Sequence, residues 1–328
     1  MQDQIRRGSG QSGSNLAARL EVAFENPVDN IRDSDSAFFR RELSAETLYE
    51  ANTGGLHPVA QKIDWGLKFY RDVLKLDSLH FGYWEATDEL TLENMRRAQD
   101  RYTEHLQEMI PDGVKKILDS GCGTGVVARR LKDSGYDVTS ITPDEYQATL
   151  FARRNPDIDF RWTRLEDFRA DAPYDLALFS ESFQYVGIDA ALDKCLEILK
   201  DGGYIIISDY FRKTREPYYR TCHVESDFLE AVARRSLTIL ETRDITDKAA
   251  PTLSLGARIY SEYALPTLEI ITGYAAEKHP LLSRLLAALF YFPLKKVRGY
   301  LYERMTDKVD AAKFRRLMTY KVFVLKKI

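Results

Sequence analysis

Cysteine is scarce: Cys122, Cys195 and Cys222 are the three in 328 residues, and none stands in a CxxC or Cys/His spacing. A disulfide framework needs a denser, even set, so the chain reads as one for a reducing compartment, and no metal site is expected. Any run of about 18 apolar residues is missing, which argues against a helical membrane span. No apolar segment follows Met1, so no secretory signal is expected. These absences together predict a soluble, cytoplasmic protein. An excess of one charge is missing too: 47 Lys and Arg against 50 Asp and Glu leave a net charge of -3, which gives no bulk attraction to nucleic acid. What is there is an ordinary globular balance, 44% hydrophobic and 30% charged. The length fits one large domain, or one domain with a sizeable lid.

Residues 1–57 are polar, with a Gly/Ser patch at Gly8–Ser14, and read as a partly disordered arm. A helical cap is expected over 58–112. One helix spans about 59–75, with Val59, Ile63, Leu67, Tyr70 and Leu74 on one face. A second spans about 91–109, with Met95, Ala98, Tyr102, Leu106 and Met109 at helical spacing. Between them lies the aromatic segment His80-Phe81-Gly82-Tyr83-Trp84. From 113 to 246 strands and helices alternate. Strands are expected at Lys116–Asp119, Tyr136–Thr142, Ile158–Arg164, Tyr174–Ser180, Tyr204–Ile207 and Leu237–Thr246. Helices are expected at Val126–Leu131, Asp144–Asn155 and Ala190–Leu199. Such alternation implies βαβ units and a mostly parallel α/β sheet. A helical insert, 247–318, precedes a final strand within 319–328 and reads as a lid.

The first strand runs into Asp119-Ser120-Gly121-Cys122-Gly123-Thr124-Gly125 and then a helix. Glycines there let the backbone approach a nucleotide-like ligand where a Cβ would collide. That ligand would sit outside the carboxyl end of the first strand. The spacing is GxGxG with an acid two positions ahead, which disfavours the dinucleotide fingerprint, whose third glycine comes one residue later. The alternative is a tight turn without a ligand.

Four segments of residues 79–212 resemble class I S-adenosylmethionine-dependent methyltransferases. Within them the chain is similar to the branch of sterol and tocopherol methyltransferases and cyclopropane fatty acid synthases. The segments are His80–Trp84, the glycine turn, Ile141-Thr142-Pro143-Asp144-Glu145-Tyr146-Gln147, and Lys200-Asp201-Gly202-Gly203. The resemblance implies a Rossmann-like methyltransferase sheet, mostly parallel with the last strand antiparallel, between a helical N-terminal cap and the helical lid insert. It also implies S-adenosyl-L-methionine as cofactor.

Several site residues follow. Asp119, with Gly121, Gly123 and Gly125, can hold the cationic amino end of the methionine moiety. The general fold puts an acid at the end of the second strand for the ribose hydroxyls, but Thr142 stands there. By the resemblance, Thr142 and Gln147 hold the ribose and the methionine tail. Asp144 substitutes as ribose acceptor or caps the following helix. Leu165 and Glu166 flank the adenine, or form a solvated loop. Tyr83 lies over the sulfonium or carboxylate end, where a negative ring face suits a cation, or packs as a core aromatic.

The segment Phe179-Ser180-Glu181-Ser182-Phe183-Gln184-Tyr185 ends the fourth strand, where acceptors meet the cofactor in this fold, with Ser180 on the cofactor side. It has no Asn/Asp-Pro-Pro-aromatic tetrapeptide, which lowers the nucleic-acid reading. Glu181 is the first candidate for a base or charge stabiliser, against a Glu that binds a backbone amide or solvent. Tyr185, His80 and His223 are weaker candidates. Tyr260, Tyr263, Tyr274, Phe290, Tyr291 and Phe292 of the insert either line an apolar pocket or pack between helices. From Leu281 onward there are 12 Lys and Arg against Glu303, Asp307 and Asp310. That face is either solvated or a weak contact with an anionic membrane surface, without stable insertion.

The expected activity is in-line methyl transfer to an O, N or C centre of a small molecule, lipid-like or isoprenoid acceptors included. The expected partner is that acceptor, not nucleic acid, and the expected state a monomer or homodimer. The alternatives are an RNA or protein methyltransferase, or a catalytically silent binding protein on the same fold. A nicotinamide dehydrogenase is disfavoured by the glycine spacing.

Overall fold

Alternate apolar residues of the central strands pack into two separate clusters. Ile117, Leu176, Leu178 and Ile206 join one, and their neighbours Leu118, Ala177, Phe179, Ile205 and Ile207 join the other. Successive side chains of a strand point to opposite faces, so a sheet covered on both sides needs continuous apolar runs. The computed structural model describes residues 65–281, 283 and 309–328. Outside them lie the expected polar arm, Val59 and Ile63, most of the Leu281–Leu289 helix, the aromatics at 290–292, and the run Lys295-Lys296-Val297-Arg298.

The described chain opens with α1 (Trp65–Asp72) and α2 (Leu92–Glu108). Thr91 caps α2 by accepting the Asn94 amide, which satisfies one of the bare amides of a first turn. The alternation follows as β1 (Lys116–Ser120), α3 (Val126–Asp133), β2 (Asp137–Thr142), α4 (Glu145–Arg154), β3 (Asp159–Trp162) and β4 (Tyr174–Ser180). A short 3-10 turn (Phe183–Tyr185) leads to α5 (Ile188–Ile198), β5 (Leu199–Arg212), α6 (Glu225–Ala233) and β6 (Leu237–Asp244). The insert supplies α7 (Thr246–Ala249), α8 (Pro251–Ile259), a π-helical turn (Tyr260–Ala264) and α9 (Leu265–Lys278). Then come α10 (Ala311–Leu317) and β7 (Met318–Lys327).

The seven strands form one sheet in the order β3-β2-β1-β4-β5-β7-β6. β7 runs antiparallel to both neighbours, and the pairings among β1 to β5 are parallel. This is the expected Rossmann-like sheet with its last strand antiparallel. The order reverses between β1 and β4, which opens a crevice at their carboxyl ends. β5 is much longer than the expected Tyr204–Ile207. It pairs with β7 out to Arg212↔Met318 and so carries Tyr210 to the crevice.

Within the described part of the insert, α7 and α8 pack against the cap: Thr252 Oγ1 accepts from the Gly82 amide and from Trp84 Nε1, and the Lys248 carbonyl accepts from the Trp84 amide. Leu255 of α8 packs with Leu74, Leu76, Trp84, Met95 and Ala98. Tyr263 and Tyr274 are exposed. Among the described residues no helix is long and apolar enough to cross a membrane.

Candidate active site

A cavity of about 540 Å³ fills the crevice at the ends of β1, β2 and β4. The glycine turn forms its floor, and its three glycines do three different jobs. All have positive φ, which suits glycine. A Cβ on Gly121 would overlap Ser182, and one on Gly125 would overlap Asn155 and Phe151. Of the three, Gly123 alone has nothing within 4 Å of its Cβ position, so it is the one with open space on that side, and it lines the cavity. Gly125 is not in the lining at all; it is a packing glycine at the start of α3, a correction to its expected ligand role.

Asp119 ends β1 with 1% of its surface exposed. Its Oδ2 is buried and has no hydrogen-bond partner among the described residues. Burial alone pushes its carboxyl up to about 7, because the charged form loses water. A bare buried carboxylate oxygen beside an open glycine fits a ligand that brings an ammonium group. Thr142 Oγ1 lies 3.3 Å from Gln147 Oε1, and both line the cavity. Asp144 caps α4 by accepting the Gln147 amide at 2.7 Å and also lines the cavity, so the two readings of Asp144 coexist. Leu165 is buried, and Glu166 pairs with Arg164 at 3.0 Å. Both line the same end.

The opposite wall is made of side chains from distant segments. Glu181, just after β4, holds a left-handed backbone, φ 53°, a strain of about 1–3 kcal/mol for a residue with a Cβ. Three contacts maintain it. Its amide donates to the Ser208 carbonyl, and its Oε1 accepts from the Phe81 amide at 2.6 Å and from the Tyr320 hydroxyl at 2.7 Å. Burial outweighs these two bonds and raises the carboxyl to about 8. Tyr102 of α2 donates to Ser208 Oγ at 2.9 Å and lies 3.0 Å from Ser180 Oγ. His80 is buried and stacks on Tyr102 with centroids 4.4 Å apart; burial lowers its pKa to about 4. Phe81 stacks on Tyr210 at 5.4 Å. Tyr185 is 73% exposed at the rim.

Of the predicted site residues, Tyr83 and Gly125 are the two that the cavity does not bring in. The Tyr83 ring sits 4.8 Å from that of His105, with Lys248 Nζ over its face at 5.3 Å, so it is a packing aromatic of the cap. His223 is also elsewhere, bonded to the carbonyls of Phe183 and Val186. Sequence reasoning missed Tyr210 and Ser182 in the lining and Tyr320, which bonds Glu181 from behind it; Tyr102, read as core, is buried behind His80. Tyr210 and Tyr320 are direct partners in the β5–β7 register, a long-range pairing without a local signal. Among the described residues no group of three His, Cys, Asp or Glu side chains gathers for a metal.

The family described as methyltransferase domain matches residues 117–203, from β1 into β5. A ubiquinone biosynthesis O-methyltransferase of Rickettsia akari is 23% identical over 163 residues, 45% of this chain and 62% of that protein. The chain thus spans about three fifths of the length of such curated relatives. Among solved structures, the (4+2)-cyclase SpnF is similar with TM-score 0.57 and 21% identity, covering 82% of this chain and 97% of that one. Geranyl diphosphate C-methyltransferase from Streptomyces coelicolor A3(2), solved with Mg2+, a substrate analogue and S-adenosyl-L-homocysteine, has TM-score 0.56 and 15% identity, covering 86% and 98%. The sheet order and the glycine turn agree with the family match, and residues 117–203 form an S-adenosylmethionine-dependent methyltransferase domain.

Proposed function

We propose that this protein methylates a small-molecule acceptor at an O, N or C centre, as a cytoplasmic monomer or homodimer that uses no nucleic acid. The observation that carries the reading is the bare, buried Oδ2 of Asp119 beside the open side of Gly123. Asp119 would hold the amino end of S-adenosylmethionine, Gly121 and Gly123 its backbone approach, and Thr142, Gln147 and Asp144 its ribose and tail. Leu165 and Glu166 would flank the adenine, and Ser180 would close the floor. The cofactor supplies a methyl group on a sulfonium, whose leaving group is already activated. What the chain must do is hold the acceptor in line, an effect worth about 7–11 kcal/mol at best. Glu181 would take a proton from an acceptor that does not ionise alone, which it can do only in its ionised form, near and above about pH 8; Tyr185 and His80 complete that wall. The fold does not set the chemistry by itself, since a protein described as a cyclase shares it.

Calorimetry with S-adenosylmethionine, S-adenosylhomocysteine and NAD on wild type and Gly123→Val tests the reading. Binding of the first two, lost in the variant, is expected. A folded protein that binds neither sinks it, and binding of NAD alone points to dehydrogenase chemistry. Salt-dependent RNA binding would revive the nucleic-acid alternative.

A further inference from the structure

Two carboxyls of the cavity lining, Asp119 and Glu181, lack a counter-charge among the described residues. Arg164 is the cation of that lining, and it pairs with Glu166; Asp144 sits on the amide end of α4. The bare Oδ2 of Asp119 suits the ammonium of a methionine moiety. Glu181, half-buried on the facing wall, is held by the Phe81 amide and the Tyr320 hydroxyl, both on Oε1. Both donors are neutral, so they fix the carboxyl in place without supplying charge. The titratable groups that act on it are Tyr102, Asp209, Tyr210, Tyr219 and Tyr320, with His80 stacked on Tyr102. None of them is a cation. Burial raises the tyrosines and lowers His80 to about 4, and Asp209 repels a second negative charge.

Glu181 also adjoins the glycine turn that carries Asp119. Ser182, the next residue, donates from Oγ to the Ser120 carbonyl at 2.5 Å and fills the space that a Cβ on Gly121 would need. S-adenosylmethionine brings two cationic centres, an ammonium and a sulfonium a few carbon atoms apart. S-adenosylhomocysteine keeps the ammonium and has a neutral thioether where the sulfonium was. A carboxyl removed from water and from cations keeps its proton until a cation arrives.

We infer that Glu181 is the counter-charge of the sulfonium, so that this site tells the methyl-bearing cofactor from the spent one by charge. This deepens the methyl-transfer reading and rests on it for the identity of the ligand. Without cofactor, Glu181 holds its proton up to about pH 8. Beside a sulfonium its carboxylate is favoured, and the proton leaves at a lower pH. Glu181 thus becomes a base in protein loaded with the methyl donor. The transfer then balances inside the cavity: the acceptor atom bonds the methyl carbon, the C–S electron pair stays on sulfur, and the acceptor proton goes to Glu181. A thioether and a neutral carboxyl remain, with no attraction to hold the spent cofactor.

The test is calorimetric titration of both cofactors into the full chain at several pH values, each in two buffers of different protonation heat, which counts the protons released. Asp119 and the ligand ammonium act alike in both titrations, so the difference between the ligands reports Glu181. Wild type should release up to one proton more with S-adenosylmethionine. Its affinity for that ligand, relative to S-adenosylhomocysteine, should rise by up to about tenfold per pH unit below about pH 8. Glu181→Gln should lose both the extra proton and the rise. Infrared difference spectra of wild type need no variant: a protonated-carboxyl band should vanish with S-adenosylmethionine and persist with S-adenosylhomocysteine. Equal proton counts and parallel affinities for the two ligands in wild type overturn the inference and leave methyl transfer standing, as does a rise that survives Glu181→Gln. Binding of neither ligand removes methyl transfer, and the inference with it.

Discussion

The two walls of the cavity are built by opposite means. The wall formed by the glycine turn and the ends of β1 and β2 comes from backbone and short side chains within 29 positions, Asp119 to Gln147. The facing wall draws on residues 80, 81, 181 and 210, held from behind by Tyr102 and Tyr320, so it exists only when cap, β4, β5 and β7 are assembled. The first is a local solution to holding a ligand with a fixed shape. The second is a tertiary one, free to change with the acceptor, in line with function residing in sites carried by a common fold.

The sharpest way to break the comparison lies inside the local wall. Gly125→Val forces a Cβ into Asn155 and Phe151 and should cost about 4 kcal/mol or more, the range of severe overpacking. Gly123→Val meets open space and should cost only about 1–2 kcal/mol for its left-handed backbone while abolishing cofactor binding. Denaturant unfolding and calorimetry on both variants separate packing from binding; equal stability losses would contradict the division of roles.

The tertiary wall should betray itself through pH. Glu181 is raised from 4.5 to about 8, so the native state holds this proton more tightly than the unfolded chain. Its contribution to stability is full below about 4.5 and is lost as pH rises through about 8. Asp119 and Asp209 act in the same sense up to about 7. Over that interval each group adds a slope of roughly 1.4 kcal/mol per pH unit. Glu181→Gln should remove one such slope from unfolding measured between pH 5 and pH 8; an unchanged slope would mean that Glu181 is ionised in the folded protein.

Smaller effects grade the rest. Tyr320→Phe leaves the buried Glu181 oxygen with one donor fewer, a loss of about 1–3 kcal/mol, and should push the Glu181 carboxyl still higher. Thermal unfolding and the titration of that carboxyl check both. Glu166→Gln breaks an exposed pair with Arg164 and should change stability by less than about 0.5 kcal/mol, with its consequence confined to cofactor affinity by calorimetry.

The difference between the walls also explains what could be read in advance. The mostly parallel sheet and the glycine turn follow from short-range patterns, apolar runs and the GxGxG spacing, whereas Thr142 and Gln147 were legible only through the family resemblance. Tyr83 misled because its neighbours His80 and Phe81 do face the cavity, and only the cap geometry turns its ring to His105. Helical periodicity in the insert reports an apolar face, not its destination: Leu255 packs with the cap residues Leu74, Trp84 and Met95. Tyr320 was invisible as a site residue because its partner lies 139 positions away.

The position of β7 has a consequence for biosynthesis. It is the last of the seven strands to leave the ribosome, yet it is inserted between β5 and β6, which precede it. Until Met318 and the residues after it emerge, β6 has no neighbour to pair with and Glu181 has no Tyr320. A nascent chain can therefore complete its glycine-turn wall before the facing wall, and one cut short of Met318 would have the floor of the site without Tyr320 behind Glu181.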